Sequence, residues 1–272
     1  MSLFQTIARQ TSELMGRESR LVRSLRPAYE SVLDWLGSGI SWKINGVTYR
    51  IDPHQRHRLG QNYDAHVAGF LRGRVKPGAL CLDVGANVGV YVLQFAHWSA
   101  PTGQVIAFEP NPSAAAILKK HVEMNGLTKR VRIVSAAVSE MSGEDILYAA
   151  EADGMSRLGE PNPALFENVA EIRVPVVTLD EYCASEELKP DWLFIDIEGF
   201  EIAALSGARE LIQSRRGHLG IVVEMHPNVW SSANTTRARA EILLAELRLR
   251  AESLTGQTDP LGDYGLVHLA YA

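Results

Sequence analysis

Asp83, Gly85, Asn87 and Gly89 stand at every second position of the turn that follows the apolar run Ala79 to Leu82. A strand, a tight glycine turn and a helix start (Val90 to Ala96) form an arrangement in which backbone N–H groups come close to a ligand. Counting from Gly89, Glu109 lies 20 positions on, after a second apolar strand over Gln104 to Phe108. That is near the spacing at which a carboxylate grips a ribose diol. A dinucleotide fingerprint wants glycine where Asn87 stands, so that the backbone can approach a diphosphate. An acid (Asp83) and a side-chain amide suit a positively charged amino-acid moiety better. S-adenosylmethionine carries such a moiety, a sulfonium, and an adenosine whose ribose Glu109 could hold. Asn111, two residues further, reads as a second contact or as a helix N-cap. The backbone around Ala137 is expected to edge the adenine.

Asp196, Glu198, Glu224 and His226 form a second constellation. Each pair follows a buried apolar strand, where ligand chemistry in open α/β sheets collects. Residues two apart on a strand point the same way, so each pair can converge on one pocket. A hydroxyl is a poor nucleophile until its proton leaves, and the ordinary pKa of His226, near 6.5, suits a general base. Asp196 or Glu198 would orient that base or accept the proton. The reading requires no metal; the alternative is that Asp196, Glu198, Glu224 and His226 bind Mg2+ or another divalent ion, with Asp196 and Glu224 as its first candidates. Glu198 and Glu201 could instead cap the helix that follows them.

These residues need a scaffold of alternating strands and helices. Strands are expected near 79–83, 104–108, 131–135, 192–196 and 219–224, with helices near 89–98, 112–125, 200–213 and 236–247. Repeated βα units predict an α/β fold, a mostly parallel sheet covered on both faces. Arg248 to Leu254 and Gly265 to Tyr271 read as a closing antiparallel hairpin. Residues 1–60 form an N-terminal cap in this reading: a basic amphipathic helix over Ser2 to Leu36, then a hairpin around Asn45-Gly46. Residues 61–272 form the main domain. Ala149 to Asn168, rich in Gly, Pro, Glu and Asp, is expected to be a mobile loop.

The chain has 272 residues, 46% of them hydrophobic, enough for a full core, and a formal charge of −5 that argues against nucleic-acid binding. No stretch approaches the roughly 18 apolar residues a membrane span needs. Cys81 and Cys183 read as free thiols, and a cytoplasmic enzyme fits best. Oligomeric state is not written in the sequence.

Several motifs resemble the FkbM-type methyltransferases: Asp-Val-Gly-Ala-Asn-Val-Gly (83–89), Ala-Phe-Glu-Pro-Asn-Pro (107–112), Ala-Val-Ser-Glu (137–140), Val-Pro-Val-Val-Thr-Leu-Asp-Glu-Tyr (174–182) and Phe-Ile-Asp-Ile-Glu-Gly-Phe-Glu (194–201). The resemblance covers roughly residues 60 to 230. It implies a class I, Rossmann-like S-adenosylmethionine-dependent methyltransferase fold, and methyl transfer to a hydroxyl of a small molecule or glycan: a sugar, glycolipid or other natural product. Tyr63-Asp64 looks like the family's Tyr-Glu entry to the domain, which adds Tyr63 to the cofactor contacts. Phe194 stands where the family usually has Lys. The competing readings are a nicotinamide-dependent oxidoreductase, which would want a third glycine and a further catalytic domain, and a nucleoside-binding module without activity.

Overall fold

The computed structural model describes residues 39–149, 156–159 and 169–272. The expected N-terminal basic helix and most of the Ala149 to Asn168 loop lie outside the described residues. The chain forms two compact units that divide between Gln61 and Asn62.

In the first unit, β1 (Ile40–Ile44) and β2 (Val47–Ile51) pair antiparallel around Asn45-Gly46. Both turn residues have positive φ, 46° and 88°, the backbone of a type I′ turn that favours Asn-Gly. Ile44, Tyr49 and Ile51 are buried, and the Trp42 indole donates to the Leu59 carbonyl at 2.6 Å.

The second unit is built on a seven-stranded sheet. In chain order the strands are β3 (Leu80–Val84), β4 (Gln104–Phe108), β5 (Val131–Val134), β10 (Trp192–Ile195), β11 (Gly220–Met225), β12 (Leu249–Ser253) and β13 (Gly265–Tyr271). Their spatial order is β5-β4-β3-β10-β11-β13-β12, and β13 alone runs against both its neighbours. Near-continuous apolar runs mark strands buried on both faces. Leu82, Val84, Leu193 and Ile195 pack into one layer of core, while Cys81, Trp192 and Phe194 face the other.

Helices α1 (Ala65–Arg72), α2 (Val90–Trp98) and α3 (Pro112–Met124) contribute to the second of those layers. Helices α4 (Leu179–Ser185), α5 (Glu201–Ser206), α6 (Arg209–Ser214) and α7 (Arg237–Leu247) cover the first. The helix expected over 200–213 is thus two short ones. They break at Gly207, where a Cβ would lie 2.2 Å from the Ser139 carbonyl oxygen and whose own carbonyl accepts the Asp180 N–H. Close backbone passage, which periodicity does not report, ends the helix.

A four-stranded sheet, unforeseen in the sequence, has the order β6-β9-β7-β8: β6 (Ala137–Val138), β7 (Gly143–Ala149), β8 (Arg157–Leu158) and β9 (Ala170–Val177). Among the described residues no helix is long and apolar enough to cross a membrane, and both cysteines are buried and unpaired.

Candidate functional site

The chain leaves β3 toward β4 and β5 on one side and returns as β10 and β11 on the other. The reversal lies between β3 and β10, and a crevice opens beyond such a point. Two backbones meet there: a Cβ on Gly85, whose φ is +85°, would sit 1.9 Å from the Asp196 carbonyl oxygen. Gly89, with φ +93°, turns the chain into α2. Asn87 between them adopts φ +48°, a left-handed conformation that Asn tolerates better than most residues. The Glu109 carboxylate is buried and accepts the N–H of Asn87 at 2.7 Å and that of Asn111 at 2.8 Å. The Asn111 side chain caps α3 by accepting the Ser113 N–H and donates to Ser156 Oγ at 3.1 Å. The N-cap reading of Asn111 is thus met. Ala137, Phe108, Pro110, Leu158, Ile197 and Phe200 line an apolar slot beside this loop.

Asp83 is 1% exposed, and its Oδ2 has no hydrogen-bond partner among the described residues. Burial, then the nearby charge of Glu109, pushes its carboxyl up to about 8. Phe194 is its register partner on β10. That ring packs against Tyr91 at 4.0 Å, so Asp83 faces aromatic surface where the resemblance would place an ammonium. Tyr91 also meets Tyr63 edge-on, with centroids 5.9 Å apart, and donates to Asp64 at 3.3 Å. Tyr63 is brought near Asp196, Asp64 and Glu224, whose charges add to burial in raising its phenol.

The second constellation pairs differently from the expectation that each strand end converges on its own pocket. Asp196, just past β10, lies with Glu224 of β11, ligand atoms of the two within 4.8 Å of each other, while Glu198 lies 3.9 Å from His226 Nε2. Beyond Ile195 the chain has left the strand, so two-residue alternation no longer applies. Burial, then the charge and hydrogen bond of Glu224, holds the Asp196 carboxyl well above its usual range. Ligand atoms of Asp196, Glu224 and His226 all lie within 4.8 Å of one another.

Glu201 explains how His226 is held. It has no exposed surface and accepts from His226 Nδ1 at 2.6 Å, the Gly199 N–H at 2.9 Å and the Trp230 indole at 2.9 Å. A carboxylate only accepts, so neutral His226 carries its proton on Nδ1 and turns Nε2 toward Glu198. Burial alone would lower the imidazole. The Glu201 hydrogen bond and charge, with Glu198 and Glu224, outweigh it and hold His226 above its ordinary value. Burial raises Glu201 too, against the pull of His226 and the Gly199 amide.

A profile of the methyltransferase FkbM domain matches residues 83–248. The chain belongs to the FkbM methyltransferase family. Among curated proteins it is similar to the 2-O-methyltransferase NoeI of Sinorhizobium fredii, 27% identical over 154 residues, 52% of this chain and 62% of that one. It is also similar to the 31-O-demethyl-FK506 methyltransferase FkbM of Streptomyces tacrolimicus, 41% identical over 78 residues, 27% of this chain and 28% of that one. The chain thus spans less than two thirds of either relative. A crystal structure of methyltransferase FkbM from Methylobacillus flagellatus aligns at TM-score 0.45 and 14% identity, over 71% of this chain and 44% of that one.

Three residues of this FkbM-family site escaped sequence reasoning. Glu201 reads as a helix-capping acid, because nothing local reports a histidine 25 positions away. Arg157, on the two-residue β8, donates to Glu198 Oε2 at 3.0 Å. Tyr264, from the β12–β13 connection, donates to Glu224 Oε1 at 2.5 Å and lies 5.2 Å from the His226 ring. The only signal was Tyr264's place in a turn-rich stretch closing a hairpin on the sheet.

Proposed function

We propose that this chain is a cytoplasmic S-adenosylmethionine-dependent O-methyltransferase acting on a hydroxyl of a sugar, glycolipid or other natural product. The single observation that carries the reading is the position of a Glu201-held His226 beside the crevice bounded by Asp83, Gly85 and Asp196. Family membership supports methyl transfer over hydride transfer, and the similarity to the 2-O-methyltransferase NoeI favours oxygen as the acceptor atom.

The residues present fit S-adenosylmethionine. Glu109 suits its ribose, the slot at Ala137 and Ile197 suits its base, and Asp83, Asp196 and the Tyr63 and Tyr91 rings suit its cationic end. When bound, that cofactor supplies a methyl group activated by a sulfonium. His226 takes the acceptor hydroxyl's proton on Nε2, and Glu201 stabilises the imidazolium through Nδ1. Glu198, fixed by Arg157, limits how the imidazole can turn. Holding the acceptor in line is worth on the order of 7–11 kcal/mol at best.

One observation favours a variant of this mechanism. Asp196, Glu224 and His226 lie close enough together for a divalent cation, which would lower the acceptor's pKa. Dialysis against EDTA decides between them: only the cation-assisted route loses activity and recovers it with Mg2+ or Mn2+. The main test is calorimetric titration with S-adenosylhomocysteine and with NAD, followed by methyl release with candidate acceptors. Binding of NAD in place of S-adenosylhomocysteine would refute the reading. Tight S-adenosylhomocysteine binding without turnover on any acceptor would point to the inactive module.

A further inference from the structure

Beside His226 opens a groove of about 640 Å3 whose lining includes Arg157, Glu198, Asn228, Asp263 and Tyr264, within the roughly 300–1,000 Å3 usual for small-molecule sites. Tyr264 is 63% exposed, yet it does not swing freely. Its hydroxyl is tied to Glu224, and its ring leans on His226 at 57°. The connection that carries it is tied down from α7, where Arg237 pairs with Asp259, whose N–H donates to Asp263 at 2.9 Å. A large ring presented to solvent next to the proposed base, with its polar end already satisfied, is a surface prepared for stacking.

Among the described residues, the charges around the groove are one-sided. Arg157 is matched by Glu198. Asp263 lines the groove, and Glu224 accepts from the Tyr264 hydroxyl. Among the described residues that line the groove or tie its ring, the carboxylates of Glu198, Asp263 and Glu224 outnumber the one guanidinium, Arg157. An anionic acceptor would meet like charges in a partly desolvated cleft.

Resting on the methyltransferase reading, we propose that this groove is the acceptor subsite for a saccharide ring that is neutral or bears an amine. Tyr264 is its stacking platform, and the surrounding carboxylates exclude uronates and phosphorylated sugars. A pyranose offers an apolar C–H face to the aromatic ring. Its rim of hydroxyls can donate to Glu198, Asp263 and the Asn228 amide oxygen.

Saturation-transfer NMR on the full chain loaded with S-adenosylhomocysteine tests the inference. The probes are methyl glycosides of gluco, galacto, manno and fuco configuration, with the matching uronic acids and 2-amino-2-deoxy sugars where these exist. At least one neutral or amino sugar should bind, and its uronate should bind about tenfold more weakly or less. Tyr264→Leu should weaken the neutral sugar about tenfold, whereas Tyr264→Phe, which keeps the ring, should stay within about threefold. Equal binding of uronates, no binding by any probe, or Tyr264→Leu behaving as the parent would overturn the proposal. Equal loss in both Tyr264 variants would overturn the platform role, leaving only a tether on Glu224. S-adenosylhomocysteine affinity is measured alongside: its loss in the parent chain counts against the methyltransferase reading, and its retention isolates the failure to the groove.

Discussion

Glu201 and His226, 25 positions apart, share a hydrogen bond of 2.6 Å at a place where the carboxyl has no contact with solvent. The imidazole pKa lies above its ordinary value because this partner outweighs burial. A base must be neutral, so turnover should rise with pH through a midpoint above the ordinary value near 6.5. Glu201→Gln removes this charge, leaving burial opposed only by Glu198 and Glu224. The acid-limb midpoint of kcat should move to lower pH, and the plateau should fall about 100-fold. A midpoint that stays put in the variant would take His226 out of the base role.

Glu109 is committed twice. Its two oxygens accept from Asn87 and Asn111, so the carboxylate shapes the glycine loop as well as offering itself to a ribose. Glu109→Gln sets an NH2 group against one of those N–H donors. Hydrogen bonds to charged groups are worth about 1.5–3 kcal/mol, so S-adenosylhomocysteine affinity should fall roughly 10- to 100-fold. Calorimetry checks this, and unchanged affinity would refute the assignment.

Gly85 and Gly126 make a controlled pair. Both have positive φ, but a Cβ on Gly126 meets nothing within 4 Å, while one on Gly85 overlaps the Asp196 carbonyl. Gly126→Ala should cost only the left-handed strain, about 1–2 kcal/mol in a urea titration. Gly85→Ala should force β3 and β10 apart at their ends and abolish S-adenosylhomocysteine binding, or prevent folding. Similar behaviour of the two variants would mean that the crevice tolerates movement.

What was legible in the sequence follows from what local pattern can report. The strands of the parallel sheet were readable because burial on both faces leaves continuous apolar runs such as Leu80–Val84 and Trp192–Ile195. The Asp83 to Gly89 turn was readable because its backbone demands particular residue types. The small sheet was not: β7 begins Gly-Glu-Asp and is largely exposed, and β9 contains Pro175. The break at Gly207 and the Glu201–His226 bond depend on chain segments meeting from far away. Arg157 and Tyr264 stand on a two-residue strand and a connection, which have no periodicity to betray them.

Asp83 gives the fold a pH dependence whose sign can be worked out. Its folded pKa is pushed up to about 8, against an ordinary aspartate carboxyl at 3.8. Between those values the folded chain holds a proton that the unfolded chain has released. Stability therefore falls as pH rises across that window, by up to about 1.4 kcal/mol per pH unit. His226, also raised, adds stability that is complete below its unfolded pKa and is lost as pH rises through its folded one, so both groups act in the same direction. The cofactor-free protein should lose urea resistance steadily from pH 5 to 8. Asp83→Asn keeps the shape, cannot ionise, and should flatten the part of the slope due to this residue, leaving the variant more stable than its parent at pH 8. The same variant should bind S-adenosylmethionine less well, because the negative charge that destabilises the empty site is what draws a cation to it. Parallel slopes for the two proteins would show that Asp83 is already ionised when folded, balanced by a partner other than the aromatic surface at Phe194.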